Sequence, residues 1–326
     1  MKRRDFITLL GGAAGWPIAA RAQQAVAPTR RIGVLSALTE EAAKSRLDGF
    51  RQGLNGLGLS EGVNVRIDFL SAPAGAEMAV VKAYALSQPD VILATGTALA
   101  MAAKEVSPAV PTVFVLGSDP VKFNLVASFN RPGGNITGVS TLQNLLLAKH
   151  VELLHETVPK AAVIGVLLNP ANANAESDAK EAGAAASALG LHSEVLHAGT
   201  SEKIKEALAA FAQRKINSLV IGPDPIFSTE YSLIADLAAQ YSIATITDFS
   251  EFTRAGGLMS YGTLGVKESY RLAGIYAGRI LKGEKPADLP VIQATKFQFV
   301  INLKVAKVLG ITFPLTLLGR ADEVIE

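Results

Sequence analysis

Residues 91–100 read VILATGTALA. A β-favouring apolar run enters the Thr95-Gly96-Thr97 turn and an alanine- and leucine-rich stretch follows, the pattern of a buried strand that turns straight into a helix. Such a turn exposes the unpaired N–H groups of a first helical turn and the positive end of its dipole, which together hold small anionic groups. The arrangement recurs along the chain. Strand-like runs followed by helical periodicity fall at 31–36, 63–70, 90–95, 111–117 and 135–140, and again at 162–168, 191–197, 216–222, 243–247 and 257–262. Each run of the second set starts 122 to 132 residues after its counterpart. Two similar α/β halves are expected.

The intervening segments carry a single apolar face, as in Ala43, Leu47, Phe50, Leu54 and Leu57, stepping by three and four as one buried helix stripe requires. Continuous apolar runs such as VFVL and VIGVLL suit parallel strands covered on both faces, whereas VNVRIDFL at 63–70 alternates and belongs toward a sheet edge. Right-handed crossovers then give two doubly wound sheets. After Tyr261 the repeat breaks. Residues 266–282 form a further amphipathic helix with Val266, Tyr270, Ala273, Ala277 and Ile280 on one face, a Pro-containing linker GEKPADLPVIQ follows, and KFQFVIN at 296–302 alternates as a strand. The expected fold class is α/β: two doubly wound Rossmann-like lobes joined by a three-stranded hinge crossed near 140–143, near 262–265 and within 283–295. The expected boundaries are 30–141 plus 264–288 for the N-terminal lobe and 142–263 plus 293–326 for the C-terminal lobe.

The first 24 residues, MKRRDFITLLGGAAGWPIAARAQQ, have the order of an export signal: a basic segment (Lys2, Arg3, Arg4), an apolar stretch from Phe6 to Ile18 and a small-residue cleavage site at Ala20-Arg21-Ala22. The paired arginines before Asp5-Phe6-Ile7 resemble a twin-arginine signal. Residues 1–22 are therefore assigned to export and the mature chain to Gln23 onward. The whole chain has 31 basic and 29 acidic residues, and losing the signal leaves a net charge of about −1, so nothing electrostatic argues for nucleic acid. Cysteine is absent, which excludes disulfides, thiolate metal sites, cysteine nucleophiles and an acylated cysteine anchor. No later stretch is long and apolar enough to span a bilayer. A soluble extracytoplasmic product with two domains is expected.

In open parallel sheets, ligands bind beyond the carboxyl ends of the strands. This chain places Ser36, Thr95, Gly96, Thr97, Ser118 and Asp119 there in the first half, and Asn169, Asp224, Asp248 and Tyr261 in the second. These are the expected ligand-binding residues. Thr97, Asn169 and Asp248 serve equally well as helix caps, and Asp224, set between Pro223 and Pro225, also suits a tight turn, although a carboxylate facing a cleft is a good partner for an ammonium group. Phe114, Phe227, Phe249 and Tyr261 read as core, with one or two free to flank a ligand. Catalytic signatures are missing: no GxSxG elbow, no GxGxxG after the first strand, and Glu284 where a phosphate loop needs lysine. His150/His155 and His192/His197 are each five apart, which spoils a shared metal site on a helix and reads as surface histidines. No cofactor, metal or enzymatic activity is expected.

ATGT at 94–97, SDP at 118–120, RPGGNITG at 131–138, NPAN at 169–172, PDP at 223–225, AGGLMSYG at 255–262, LKGEKPADLPV at 281–291 and RADEVIE at 320–326 resemble, in order and across the mature chain, the ABC transporter substrate-binding protein family, which includes tryptophan- and tyrosine-binding members. The resemblance implies a type I periplasmic-binding fold, capture of a small solute between two lobes, delivery to an ABC permease in the inner membrane and a periplasmic location. The residues add that hydroxyls and helix N-termini at Ser36 and Thr95 to Thr97 suit a carboxylate, and Asp224 or Asp119 an ammonium, so an α-amino acid is the expected ligand. A monomer that binds no nucleic acid is expected. Two rivals remain: a ligand-sensing domain of a regulator, which needs a DNA-binding segment before Arg31 where the export signal stands, and an α/β enzyme with an interdomain active site.

Overall fold

The computed structural model describes residues 29–263, 265–293 and 296–326; the expected export signal lies outside the described residues. All ten apolar runs form strands, with ends within two residues of those expected. The first half runs β1 (Arg30–Ser36), α1 (Lys44–Asn55), β2 (Val65–Ser71), α2 (Glu77–Ala85), β3 (Val91–Thr95), α3 (Thr97–Val106), β4 (Thr112–Leu116) and β5 (Ile136–Ser140). A 3-10 turn, Gln143–Leu146, leads to α4 (Leu147–Thr157), β6 (Val163–Leu168), α5 (Ala175–Ala188), β7 (His192–His197), α6 (Ser201–Gln213) and β8 (Ser218–Ile221). The second half continues through α7 (Pro225–Thr229), α8 (Tyr231–Gln240), β9 (Ala244–Thr247), α9 (Ser250–Arg254) and β10 (Met259–Gly262). The last segment holds α10 (Val266–Leu281), β11 (Ile292–Gln293), β12 (Gln298–Asn302), α11 (Leu303–Val308), α12 (Leu315–Leu318) and β13 (Glu323–Ile325).

Two sheets result, ordered β11-β5-β4-β3-β1-β2 and β13-β12-β10-β9-β8-β6-β7. Each contains the doubly wound order 2-1-3-4-5, and all pairs are parallel except β10 with β12. The alternating strand β2 lies at an edge as expected, while VILAT of β3 is buried throughout. Each sheet is covered on both faces, so each lobe has two cores. The first strands share the sequence IGVL, at 32–35 and 164–167. Their glycines receive an aromatic ring from the helical layer: a Cβ would come within 2.0 Å of Tyr84 at Gly33 and 2.9 Å of Phe211 at Gly165.

The chain passes between the sheets three times: after β5, after β10 and after β11. At the first crossing Leu142 takes a left-handed conformation with φ of 50°, and the Thr263 hydroxyl of the second donates to the Thr141 carbonyl of the first at 3.2 Å. Two strands were not anticipated. β11 lies in the stretch expected to be only linker and extends the first sheet beside β5; β13 extends the second beside β12. Both are too short to show periodicity and exist only because a neighbouring edge is available to pair with.

Helix α10 packs on α1 of the first lobe, burying Tyr270, Ala273, Tyr276, Ala277 and Ile280 against Leu47, Phe50 and Leu54. The approach is backbone to backbone. A Cβ on Gly53 would stand 2.1 Å from the Arg271 carbonyl oxygen, and one on Gly274 2.2 Å from that of Phe50. Gly53→Ala should therefore cost about 1–3 kcal/mol through overpacking. Gly56→Ala, whose nearest neighbour lies at 3.6 Å, should leave the urea midpoint almost unchanged. Equal midpoints for the two variants would refute the close approach.

Candidate functional site

The strand ends of the two lobes face each other. Arg46, in the first turn of α1, donates from Nη2 to the Ser228 hydroxyl of α7 in the opposite lobe. On the first lobe, Gly96 takes φ of 92° to turn β3 into α3, a backbone only glycine adopts without cost. The Thr97 hydroxyl that follows lies 2.7 Å from that of Ser118, and the Ser140 hydroxyl donates to the Ser118 carbonyl at 2.8 Å. Thr95, Thr97 and Ser118 thus line one buried polar corner. The Tyr270 hydroxyl of α10 lies near the side chains of both Thr95 and Arg46. Ser36 and Asp119 are spent on their own turns. The Ser36 hydroxyl accepts from the Leu38 amide at 3.2 Å, and Asp119 Oδ1 from the amides of Val121 at 2.8 Å and Lys122 at 3.3 Å.

On the second lobe, Asp224 caps α7. Its Oδ1 accepts from the Ile226 amide at 2.9 Å and from Asn169 Nδ2 at 3.1 Å, and its Oδ2 from Asn172 Nδ2 at 2.8 Å. Burial raises its pKa against these three donors. Asp248, between β9 and α9, is differently placed. Its Oδ1 accepts from the Thr247 hydroxyl at 2.8 Å and from the Tyr231 hydroxyl at 3.5 Å, while Oδ2 is buried without a partner. Burial lifts this carboxyl to about 6. Tyr261 stacks on Phe297, ring centroids 5.7 Å apart, and meets Phe299 edge-on; Phe114 and Phe227 are wholly core, as expected, and Phe249 is partly buried.

At the first crossing, Asn144 Nδ2 donates to both oxygens of Asp178 in α5, each at 2.8 Å, and Gln143 Nε2 is buried without a partner. Burial pushes Asp178 up to about 7. The expectation of surface histidines holds for His192 and His197 but not for His150, which is 1 % exposed. Its Nε2–H donates to the Tyr261 carbonyl at 2.6 Å and burial lowers its pKa to about 4. The reason is positional: His150 falls three residues after Leu147 and four before Leu154, on the buried stripe of α4.

Arg46 and Asp178 are hidden in the sequence for the same reason. Arg46 lies three residues after Ala43 and four before Phe50, and Asp178 between Ala175 and Ala182 at the same steps; both are buried. A charged residue at an apolar stripe position was the available signal. Tyr270 has only a core position in the sequence pattern, and Gln143, Asn144 and Tyr231 carry no pattern.

The sequence model of the ABC transporter substrate binding protein family matches residues 31–325. A tyrosine-binding protein of Clostridioides difficile is 26% identical over 291 residues, covering 86% of this chain and 81% of that protein. Among solved structures, an ABC domain from Streptococcus pneumonia in complex with L-Trp is 25% identical, covers 91% of this chain and 100% of its own, and has a TM-score of 0.77. The ligand-free, open structure of a substrate binding protein with adhesive properties from Clostridium difficile is also 25% identical, with 91% and 99% covered, at a TM-score of 0.59.

The buried carboxyl of Asp178 has a stability consequence. Its folded pKa of about 7 exceeds the ordinary 3.8, so between those values the folded state holds a proton that the unfolded chain has released. Stability from this group is present below pH 3.8 and is lost as pH rises toward 7. His150 acts in the opposite sense between 6.5 and about 4, so the difference between variant and wild type isolates Asp178. Asp178→Asn should gain on wild type in Tm progressively from pH 4 to pH 7.5; a pH-independent difference would refute the assignment.

Proposed function

The chain belongs to the ABC transporter substrate binding protein family, and on that premise we propose that it is a periplasmic receptor that closes on an α-amino acid and delivers it to an inner-membrane permease. One observation carries the ligand class. Seven buried side-chain polar atoms lack a partner among the described residues, and two of them, of opposite hydrogen-bonding type, stand just after β9 and β5: the acceptor Asp248 Oδ2 and the donor Gln143 Nε2. Buried polar atoms ordinarily find partners, and a zwitterion brings one for each kind. Asp248 takes the ammonium in this reading. Asp224 shapes the pocket as a cap, because its oxygens already accept from three donors. The carboxylate lies toward the hydroxyls of Thr95, Thr97 and Ser118 and the N-terminus of α3, with Ser36, Gly96, Asp119, Asn169 and Tyr261 forming the surrounding turns and wall. The tyrosine-binding relative and the L-Trp complex support the same class.

Closure follows from a ligand that binds both lobes at once, since only a difference in affinity between open and closed forms shifts their balance. The greater likeness to the L-Trp complex than to the open structure, at equal identity, supports reading this arrangement as the closed one. In the same proposal residues 1–22 direct export by the twin-arginine route. The lobes comprise 30–141 with 264–288 and 142–263 with 293–326, and the receptor works as a monomer that presents both to the permease. Among the described residues no helix is long and apolar enough to cross a membrane.

Mature protein screened by thermal shift should respond to amino acids, aromatic ones first. Ligand at a hundred times its Kd stabilises by about 2.7 kcal/mol. Silence across all amino acids would overturn the ligand class. Because the ammonium needs an ionised Asp248, affinity should fall as pH drops below about 6, by up to about tenfold per pH unit. Asp248→Asn should weaken binding by about 2 kcal/mol or more at neutral pH; calorimetry showing unchanged affinity would remove Asp248 from the site.

A further inference from the structure

We infer that Arg46 supplies the positive charge for the ligand's carboxylate, so that the cleft selects solutes bearing an anionic group and the same guanidinium ties that selection to the opposite lobe through Ser228. This rests on the proposal that an amino acid binds between the lobes, and deepens it by assigning a specificity-determining residue.

The observation is an inversion of the usual pattern. Among the described residues nine arginines pair with an acid, and each keeps 32% or more of its side chain exposed. Arg46 is 7 % exposed and, among the described residues, has no carboxylate within ion-pair distance. Its partners are neutral, the Ala42 carbonyl at 3.4 Å and the Ser228 hydroxyl, with the Tyr270 hydroxyl nearby. A buried cation without a counter-ion is costly, so one held in such a place is ordinarily met by an anion. The chain's own candidates stand beyond ion-pair distance. Asp224 feels the charge of Arg46 but accepts from Ile226, Asn169 and Asn172, and Asp248 turns Oδ1 to Thr247 and Tyr231.

Chemistry and position agree on what the counter-ion is. A guanidinium has five donors in a planar fork that matches a carboxylate two bonds at a time, and two neutral hydrogen bonds leave capacity for that. Tyr270 lies near both Arg46 and Thr95, which puts the guanidinium on the side of the Thr95-Gly96-Thr97 turn. The first lobe therefore offers the N-terminus of α3, threonine hydroxyls and a full positive charge, and the second lobe the acidic Asp248.

A role for Arg46 as a mere bridge between lobes predicts something different, and the two separate on paired ligands. Wild type, Arg46→Gln, Arg46→Lys and Ser228→Ala would be titrated by calorimetry with L-tryptophan, L-tyrosine and their carboxamides. Wild type should prefer each acid to its amide by about 30-fold or more, the penalty for losing one side of a buried charged pair. Arg46→Gln should erase that preference while changing amide affinity less than about threefold, Arg46→Lys should restore part of it, and Ser228→Ala should leave the acid-to-amide ratio intact. Equal losses for acid and amide in Arg46→Gln, or a wild type indifferent to the carboxylate, would overturn the assignment. A thermal-shift panel of other carboxylates, including succinate and benzoate, beside their amides separates this from failure of the amino-acid proposal. Stabilisation by carboxylates that are not amino acids sustains Arg46 and sinks that proposal, whereas a panel in which no carboxylate raises the Tm overturns Arg46.

Discussion

Helices α1 and α10 approach until backbone meets backbone, because Gly49, Gly53 and Gly274 put no side chain between them, and the cleft takes its geometry from that contact. The two helices are far apart in sequence, and α10 reaches α1 only after the chain has built most of the second lobe and crossed back. Once seated, the pair carries two of the groups that define the polar corner: Arg46 three residues before Gly49, and Tyr270 four before Gly274. A wider interhelical spacing would move Tyr270 off Thr95 and loosen the guanidinium at the same time. Packing at a position remote from any ligand thus sets the distance between a cation and a helix terminus.

The interlobe region is unlike the four apolar cores around it. Asp178, Asp224 and Asp248 are all held above the usual carboxylate range by burial. Each is a charge that the fold tolerates only with partners, and the partners come from other segments: the first crossing for Asp178, the loop after β6 for Asp224, α8 and β9 for Asp248. A protein optimised for stability alone would place hydrocarbon there, since buried ionisable groups seldom stabilise on balance. They gather between the lobes, where Asp248 and Gln143 also keep buried atoms without a partner, so this region carries a stability cost that the apolar cores do not.

How much of this was legible in the amino acids depends on what kind of signal each feature leaves. The ten long strands declare themselves because a parallel sheet covered on both faces demands unbroken apolar runs, and β2 declares its edge by alternating. β11 and β13, two and three residues long, carry no periodicity and are created by the edges they complete. Thr95, Thr97 and Ser118 were legible as hydroxyls at strand ends. Asp119 and Asp224 were legible as acids in the right loops, but whether a carboxylate faces a ligand or caps its own turn is settled by a rotation of the side chain that no spacing records. Arg46, Asp178 and His150 were hidden by the assumption that a residue on an apolar stripe is apolar. Polar residues on such stripes are rare, and here they lie in or beside the cleft or under its wall.

The detour of the chain has a consequence for its synthesis. When β5 leaves the ribosome the first sheet is complete but for β11, yet the face that Tyr270, Ala273, Tyr276 and Ala277 will cover must wait until residues 141–265 have been made. At 5–20 residues per second that delay is roughly 6–25 s. For that interval Leu47, Phe50 and Leu54 have no lid, and the nascent chain presents a sticky half-domain to chaperones or to its neighbours. The first half thus cannot finish folding as an early, independent product of translation.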